Sequence, residues 1–285
     1  MDVTTNKLDE GRTMIKACIF SVIKDEHEYI EEFIRYHIDI GIDTLFLFED
    51  VDSKSHNSIC EKYSQVVLNS VTILFNENEN VINRRKNGER LQGEYIKRGL
   101  LWIRDNFDYD WCFSIDADEF ITPTDAFPSL LSDYNDYDAL ILQWKNFGAN
   151  GLVKKPKYDK PTWEIFTKPC DFLKFDIMKC QTTKVCFNMK RLEERFIYGV
   201  HSALCRLIKP NFKYAIGSYV YDRIYIRHYI TRSWEEYVWK IKVRGDICDG
   251  NRKISHFFEM NKDMLPMKDK LIKELGEENE MEQPS

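Results

Sequence analysis

The chain has 285 residues, 43% of them apolar and 14% aromatic, enough to bury the core of one large α/β domain and too apolar for a disordered chain. Its net charge of −6, with 31% of residues charged, describes a surface of mixed sign and excludes a polyanion-binding face, so nucleic acid is not an expected partner. Met1 to Gly11 lacks the apolar core of a secretory signal and no run approaches the roughly 20 apolar residues that span a bilayer, so the expectation is a cytoplasmic protein.

Residues 15–23 form a nearly continuous apolar, β-rich run, the pattern of a strand covered on both faces. Lys24, Asp25 and Glu26 follow it. Apolar residues from Tyr29 to Ile40 then recur at helical spacing until Gly41 supplies a stop. A second strand, Thr44 to Phe48, ends in Glu49, Asp50 and Asp52, which completes a strand, crossover helix and parallel strand with polar residues at both carboxyl ends. Val71 to Phe75 reads as a third strand, and Asn83 to Phe107 as a helix with a basic start.

Trp111 to Ile115 reads as a buried strand that runs directly into Asp116-Ala117-Asp118-Glu119-Phe120. A further strand and turn occupy Ala139 to Gly151. The Lys-, Pro- and aromatic-rich stretch 152–180 reads as an acceptor-side region. Strands are expected near Lys184 to Met189 and Arg223 to Tyr229. A helix over Ser233 to Val243 is capped by Ser233 with Glu236 three residues on, and the tail from Gly276 is acidic. Of the eight cysteines no pair has CxxC spacing, and Cys18, Cys112 and Cys186 lie in apolar runs, as reduced structural thiols do.

The acidic segment carries the chemistry. Alternate residues of an extended chain point the same way, so Asp116 and Asp118 are expected to face one site. Paired carboxylates suit a hard divalent cation, Mn²⁺ or Mg²⁺, shared with phosphate oxygens. Such an ion offsets the charge on a departing nucleoside diphosphate. Asn83, Arg84 and Arg85 precede a predicted helix, where guanidinium groups and a helix N-terminus favour anions.

Taken together the segments resemble the family 92 and family 2-like glycosyltransferases, whose nucleotide-sugar-binding fold is called GT-A. The resemblance rests on Lys24-Asp25-Glu26, on Glu32 to His37 with Gly41, on Gln92, and on Trp111 to Phe120. It continues through Phe147 to Gly151, Lys184, Gly199-Val200-His201, His228-Tyr229, Ser233, Lys240, Arg244 and Gly245. It implies an α/β fold with a mostly parallel central sheet flanked by helices and a helical C-terminal extension. The implied layout is a tail over 1–14, a catalytic domain over 15–246 and an extension with its acidic tail over 247–285. The catalytic domain divides into a nucleotide-sugar-binding half, 15–120, and an acceptor-binding half, 121–246.

The same resemblance assigns roles. Lys24, Asp25, Glu26, Glu49 and Asp50 are expected to meet base and ribose, with Asn83, Arg84 and Gln92 nearby and Lys184 and Arg244 as phosphate partners. His228 is the implied third metal ligand; His201 is the other candidate for that place and is carried with Glu164 as a catalytic residue. Glu164, in Trp163-Glu164-Ile165-Phe166, is the implied base, with Asp171 as second choice. The implied partners are a nucleotide-sugar donor, most simply a UDP-sugar, and a glycan or lipid-linked glycan acceptor, with inversion at the anomeric carbon. Two other functions fit a similar sheet: a non-catalytic nucleotide- or carbohydrate-binding relative, and a nucleotidyltransferase. Trp234, Val238 and Ile241 share one helical face beside Lys240 and Arg244, so a weak, salt-sensitive contact at the inner face of a membrane is the most that is expected. Self-association stays open.

Overall fold

The computed structural model describes residues 15–76, 78–170, 183–194, 214–216, 223–244 and 253–281. β1 (Ala17–Ile23) is buried along its whole length, as a continuous apolar run requires when both faces of a sheet are covered. Glu31 and Glu32 open α1 (Ile30–Asp39), where they complement the helix dipole, and Ile30, Phe33 and Ile34 turn inward. Gly41, at φ +104°, lets the chain leave this helix. β2 (Thr44–Glu49) then lies parallel to β1.

A short helix α2 (Asn57–Cys60) leads to β3 (Val66–Ser70), parallel to β2. The third strand therefore precedes the segment expected from sequence. Val71–Leu74 form a 3₁₀ turn capped by Ser70, whose hydroxyl accepts the Thr72 N–H at 3.2 Å. The helix expected over 83–107 is two helices, α3 (Val81–Lys86) and α4 (Gln92–Asn106), parted by a turn with Gly88 at φ +80°. α4 packs Tyr95, Ile96 and Leu100 on the sheet face carrying Cys18, Phe20 and Phe46; α1 covers the opposite face, with Ile19, Ile23 and Leu45.

β4 (Trp111–Ser114) pairs in parallel with β1 on the side away from β2. The order β3-β2-β1-β4 reverses direction between β1 and β4, and in open α/β sheets the ligand crevice forms outside the carboxyl ends at such a point. The remaining strands are β5 (Glu119–Pro123) and β6 (Ala139–Asn146), then, after the short helix α5 (Thr162–Ile165), β7 (Thr183–Asn188), β8 (Tyr214–Ile216) and β9 (Ile224–His228). β7 runs antiparallel to β4 and β6, and the end of β6 passes to a parallel pairing with β9. β9 is antiparallel to β5, and this register sets Glu119 opposite His228. Among the described residues five of the eight pairings are parallel, so this is the mostly parallel, helix-flanked sheet that the GT-A resemblance implies.

Ser233 caps α6 (Trp234–Trp239) through the expected reciprocal box: its hydroxyl accepts the Glu236 N–H at 3.3 Å while Glu236 accepts the Ser233 N–H at 3.1 Å. The helix continues as a π turn over Lys240–Arg244. The C-terminal extension is helical: α7 (Ile254–Met260), a 3₁₀ turn over Lys262–Met267, and α8 (Lys268–Met281). Phe257 and Phe258 of α7 cover Trp234, and Val238 and Ile241 pack against the same cluster, so this apolar face is core rather than a membrane contact. No helix among the described residues is long and apolar enough to cross a membrane. Cys18, Cys60, Cys112 and Cys186 are buried thiols outside any disulfide.

Candidate functional site

After β4 the chain does not stay extended. Glu119 N–H returns to the Asp116 carbonyl at 3.0 Å, and Asp116 N–H donates to Glu119 Oε2 at 2.9 Å. The alternation expected to aim Asp116 and Asp118 at one point is thereby lost in a tight turn. Asp116 turns to Lys184, whose Nζ donates to Oδ2 at 2.8 Å. Asp118, Glu119 and His228 converge instead, with one ligand atom from each lying within 4.8 Å of the others.

Each carboxylate in this group divides its oxygens. Asp118 Oδ2 accepts from Lys240 Nζ at 2.6 Å, while Oδ1 lies 3.7 Å from His228 Nε2. Glu119 Oε2 faces Lys184 Nζ at 3.4 Å; Oε1, at 3.9 Å from His228 Nε2, is a buried oxygen with no hydrogen-bond partner among the described residues. His228 Nδ1 lies 2.9 Å from Asn146 Oδ1, an acceptor, so Nδ1 carries a proton and the ring is held with Nε2 turned toward the two oxygens. Those spacings are too long for hydrogen bonds and short enough to close on one cation. Burial, reinforced by the charges of Asp116 and Asp118, raises the Glu119 carboxyl well above the usual range despite Lys184. Two carboxylate oxygens, one of them orphaned, and an oriented imidazole nitrogen fit Mn²⁺ or Mg²⁺.

The turns after β1 and β2 lie beside this group. Asp25, at φ +50°, accepts the Lys54 N–H at 3.0 Å, and Lys24 Nζ donates to Asp52 at 2.7 Å. His56 ties the two turns together. Its Nε2 accepts the Glu26 N–H at 3.0 Å and its Nδ1 donates to Glu49 at 3.0 Å; burial lowers its pKa, so the neutral tautomer is locked. Asp50 is buried and accepts from Tyr95 OH at 3.2 Å and from Arg85 Nη2 at 3.3 Å. Beside these turns lies a cleft of about 720 Å³, lined among others by Asp25, His27, Lys54, Trp239 and Arg244.

No family model matches the chain. No curated protein matches it either. Among solved structures it is similar to a glucosyl-3-phosphoglycerate synthase from Mycobacterium tuberculosis, in complex with Mn²⁺, uridine diphosphate and phosphoglyceric acid. That match has 15% identity and a TM-score of 0.37, covering 62% of this chain and 56% of that one. HddC from Yersinia pseudotuberculosis matches at 13% identity and TM-score 0.40, covering 75% of this chain and 93% of that one. A 4-diphosphocytidyl-2C-methyl-D-erythritol synthase matches at 11% and 0.40, covering 74% and 93%. The chain spans about half the length of the mycobacterial structures it matches. At these levels the likeness carries no argument, and fold and site stand on their own geometry.

That geometry sorts the residues singled out in the sequence. Asp118 and His228 meet at the switch point, and Lys24, Asp25, Glu26, Glu49 and Asp50 line the turns beside it. Lys184 is a buried counter-ion beneath Asp116 and Glu119. Arg244 pairs with Glu26. Arg84 is held by Glu89 and Glu94, Asn83 is exposed, and Arg85 rather than Arg84 reaches Asp50. Gln92 is the first residue of α4. Glu164 is exposed on α5 and is not among the residues lining the cleft. His201 and Asp171 lie outside the described residues. Glu119, His56, Asn146 and Arg232 are additions the sequence did not suggest.

Proposed function

We propose that this chain is a metal-dependent glycosyltransferase of the family 92 or family 2-like type, transferring a sugar from a nucleotide-sugar donor, most simply a UDP-sugar, to an acceptor hydroxyl, with inversion at the anomeric carbon and release of the nucleoside diphosphate. The observation that carries the reading is the convergence of Asp118, Glu119 and His228 at the β1/β4 switch point, with Glu119 Oε1 buried and unpartnered among the described residues. In this reading the three residues hold Mn²⁺ or Mg²⁺, which when bound neutralises charge on the donor diphosphate. Asn146 keeps the His228 ring in its ligating tautomer. Lys240, at 2.6 Å from Asp118, delivers a second positive charge to the same place. Asp50, its carboxylate buried and held by Arg85 and Tyr95, steadies the turn after β2 that would meet base or ribose.

Calorimetric titration of UDP with Mn²⁺ and with EDTA tests the reading, alongside a panel of nucleotide sugars scored for nucleoside diphosphate release. Mn²⁺-dependent UDP binding, lost in Asp118→Asn and Glu119→Gln while the fold persists, is the expected result. Saturating UDP at a hundredfold excess over Kd should add about 2.7 kcal/mol of folding stability. Binding of nucleoside diphosphates that ignores EDTA would sink the metal assignment. Pyrophosphate release from a nucleoside triphosphate and a sugar phosphate would mark a nucleotidyltransferase instead.

A further inference from the structure

Arg232 occupies an unusual place. It is 6% exposed, has a left-handed backbone at φ +50°, and lays its guanidinium 3.3 Å over the Tyr29 ring. Its Nε and Nη2 find no hydrogen-bond partner among the described residues. Burying such donors unpaired is costly, and the acids nearby are otherwise engaged. Glu236 accepts the Tyr29 and Tyr158 hydroxyls through Oε1 and the Ser233 hydroxyl, at 2.6 Å, through Oε2; Glu26 pairs with Arg244.

Nε–H and Nη2–H form one edge of the guanidinium, two parallel donors that match the two oxygens of a carboxylate or a phosphate group. Arg232 lines a small recess together with Asp118, Lys240, Glu26 and Glu236. Tyr29, Trp239 and Arg244 line both this recess and the large cleft, so the recess adjoins the cleft. The position favours the acceptor over the donor. The donor diphosphate has its counter-charges at the Asp118, Glu119 and His228 group and at Lys240. Arg232 stacks on Tyr29, which meets Tyr158 edge-on at 5.2 Å, and Tyr158 lies in the stretch assigned to the acceptor side.

We infer that Arg232 is a substrate-binding residue whose bidentate edge takes a carboxylate or phosphate group of the acceptor, so that this enzyme glycosylates an anionic molecule. The inference rests on the glycosyltransferase reading of the cleft. Inorganic sulfate is the probe. Calorimetric titration of the full chain in EDTA should show one saturable sulfate site, weakened roughly tenfold or more in Arg232→Lys, which keeps the charge and loses the fork. Arg223→Lys, on an exposed ion pair elsewhere, should leave it unchanged. Repeating the titration with saturating Mn²⁺ and UDP should leave the sulfate affinity within about twofold.

Absence of a saturable site, or equal affinity in Arg232→Lys, overturns the inference. Displacement of sulfate by Mn²⁺ and UDP also overturns it, since the edge would then serve the donor. If UDP does not bind at all, the donor reading fails while the EDTA titration still decides the anion site. Should Arg232→Lys not fold, wild-type crystals soaked in selenate decide: an anomalous peak within hydrogen-bonding distance of Nε and Nη2 is expected, and selenate bound only elsewhere refutes the assignment.

Discussion

His37 shows how a single side chain couples the fold to pH. It is fully buried on α1, lies 2.8 Å from the Phe33 carbonyl through Nδ1, and accepts the Ile121 N–H at 3.2 Å through Nε2. Burial outweighs the help of that carbonyl and lowers its pKa to about 3. The unfolded chain takes up this proton near pH 6.5 and the folded one does not, so between those values the unfolded state binds more protons. Stability is full above about pH 6.5 and falls with acidification, by up to about 1.4 kcal/mol per pH unit from this residue. His37→Gln should flatten that part of the curve, read by urea denaturation at pH 6.5 and pH 4.5; an unchanged slope would show that other groups govern it. The same scale shows what was legible in the site. Asp118 and His228 stood out because acid after a buried strand and a lone imidazole at a strand end are visible in one dimension. Glu119 did not, because it reads as the first residue of a resuming strand, and only the β5 to β9 register brings it opposite His228.

Among the elements, β1, α1, β2 and β4 were legible to within two or three residues, since buried parallel strands and amphipathic helices carry strong periodicity. β3 was not. Val66–Ser70 and Val71–Leu74 are both rich in β-branched and aliphatic residues, and pairing with β2 chooses between them. The junction of α4 with β1 is equally silent in sequence. Gly99 lies where an added Cβ would stand 2.0 Å from Phe20, itself buried against Phe48 at 5.2 Å between centroids. Gly99→Ala raises helix propensity and in an exposed helix would stabilise. Here overpacking should dominate and cost about 1–3 kcal/mol, measured as a lower urea midpoint at unchanged m-value. A rise in stability would mean that the α4 to β1 interface has slack.

At the scale of the molecule, the C-terminal extension is structural in a way its distance from the motif concealed. Asn261 accepts the Ala149 N–H at 2.5 Å and donates to the Phe257 carbonyl at 2.8 Å, joining α7 to the turn after β6. Phe257, Phe258, Met264 and Leu271 complete the cluster around Trp234 and Tyr237. A chain ending at residue 252 should therefore lose more than about 3 kcal/mol, the cost of deleting one buried aromatic, and expose enough apolar surface to bind a hydrophobic dye. Native-like melting of that truncation would show that the extension folds independently. The Lys240 to Asp118 pair ties this C-terminal half back to the proposed metal group, and it has a thermodynamic corollary. A cation arriving at Asp118 must compete with the lysine, and a diphosphate offers the displaced ammonium a new partner. Metal and nucleotide should then assist one another, with reciprocal linkage: whatever factor UDP gains from Mn²⁺, Mn²⁺ gains from UDP. Lys240→Met should tighten Mn²⁺ alone and shrink that shared factor, and titrating each ligand with and without the other measures it.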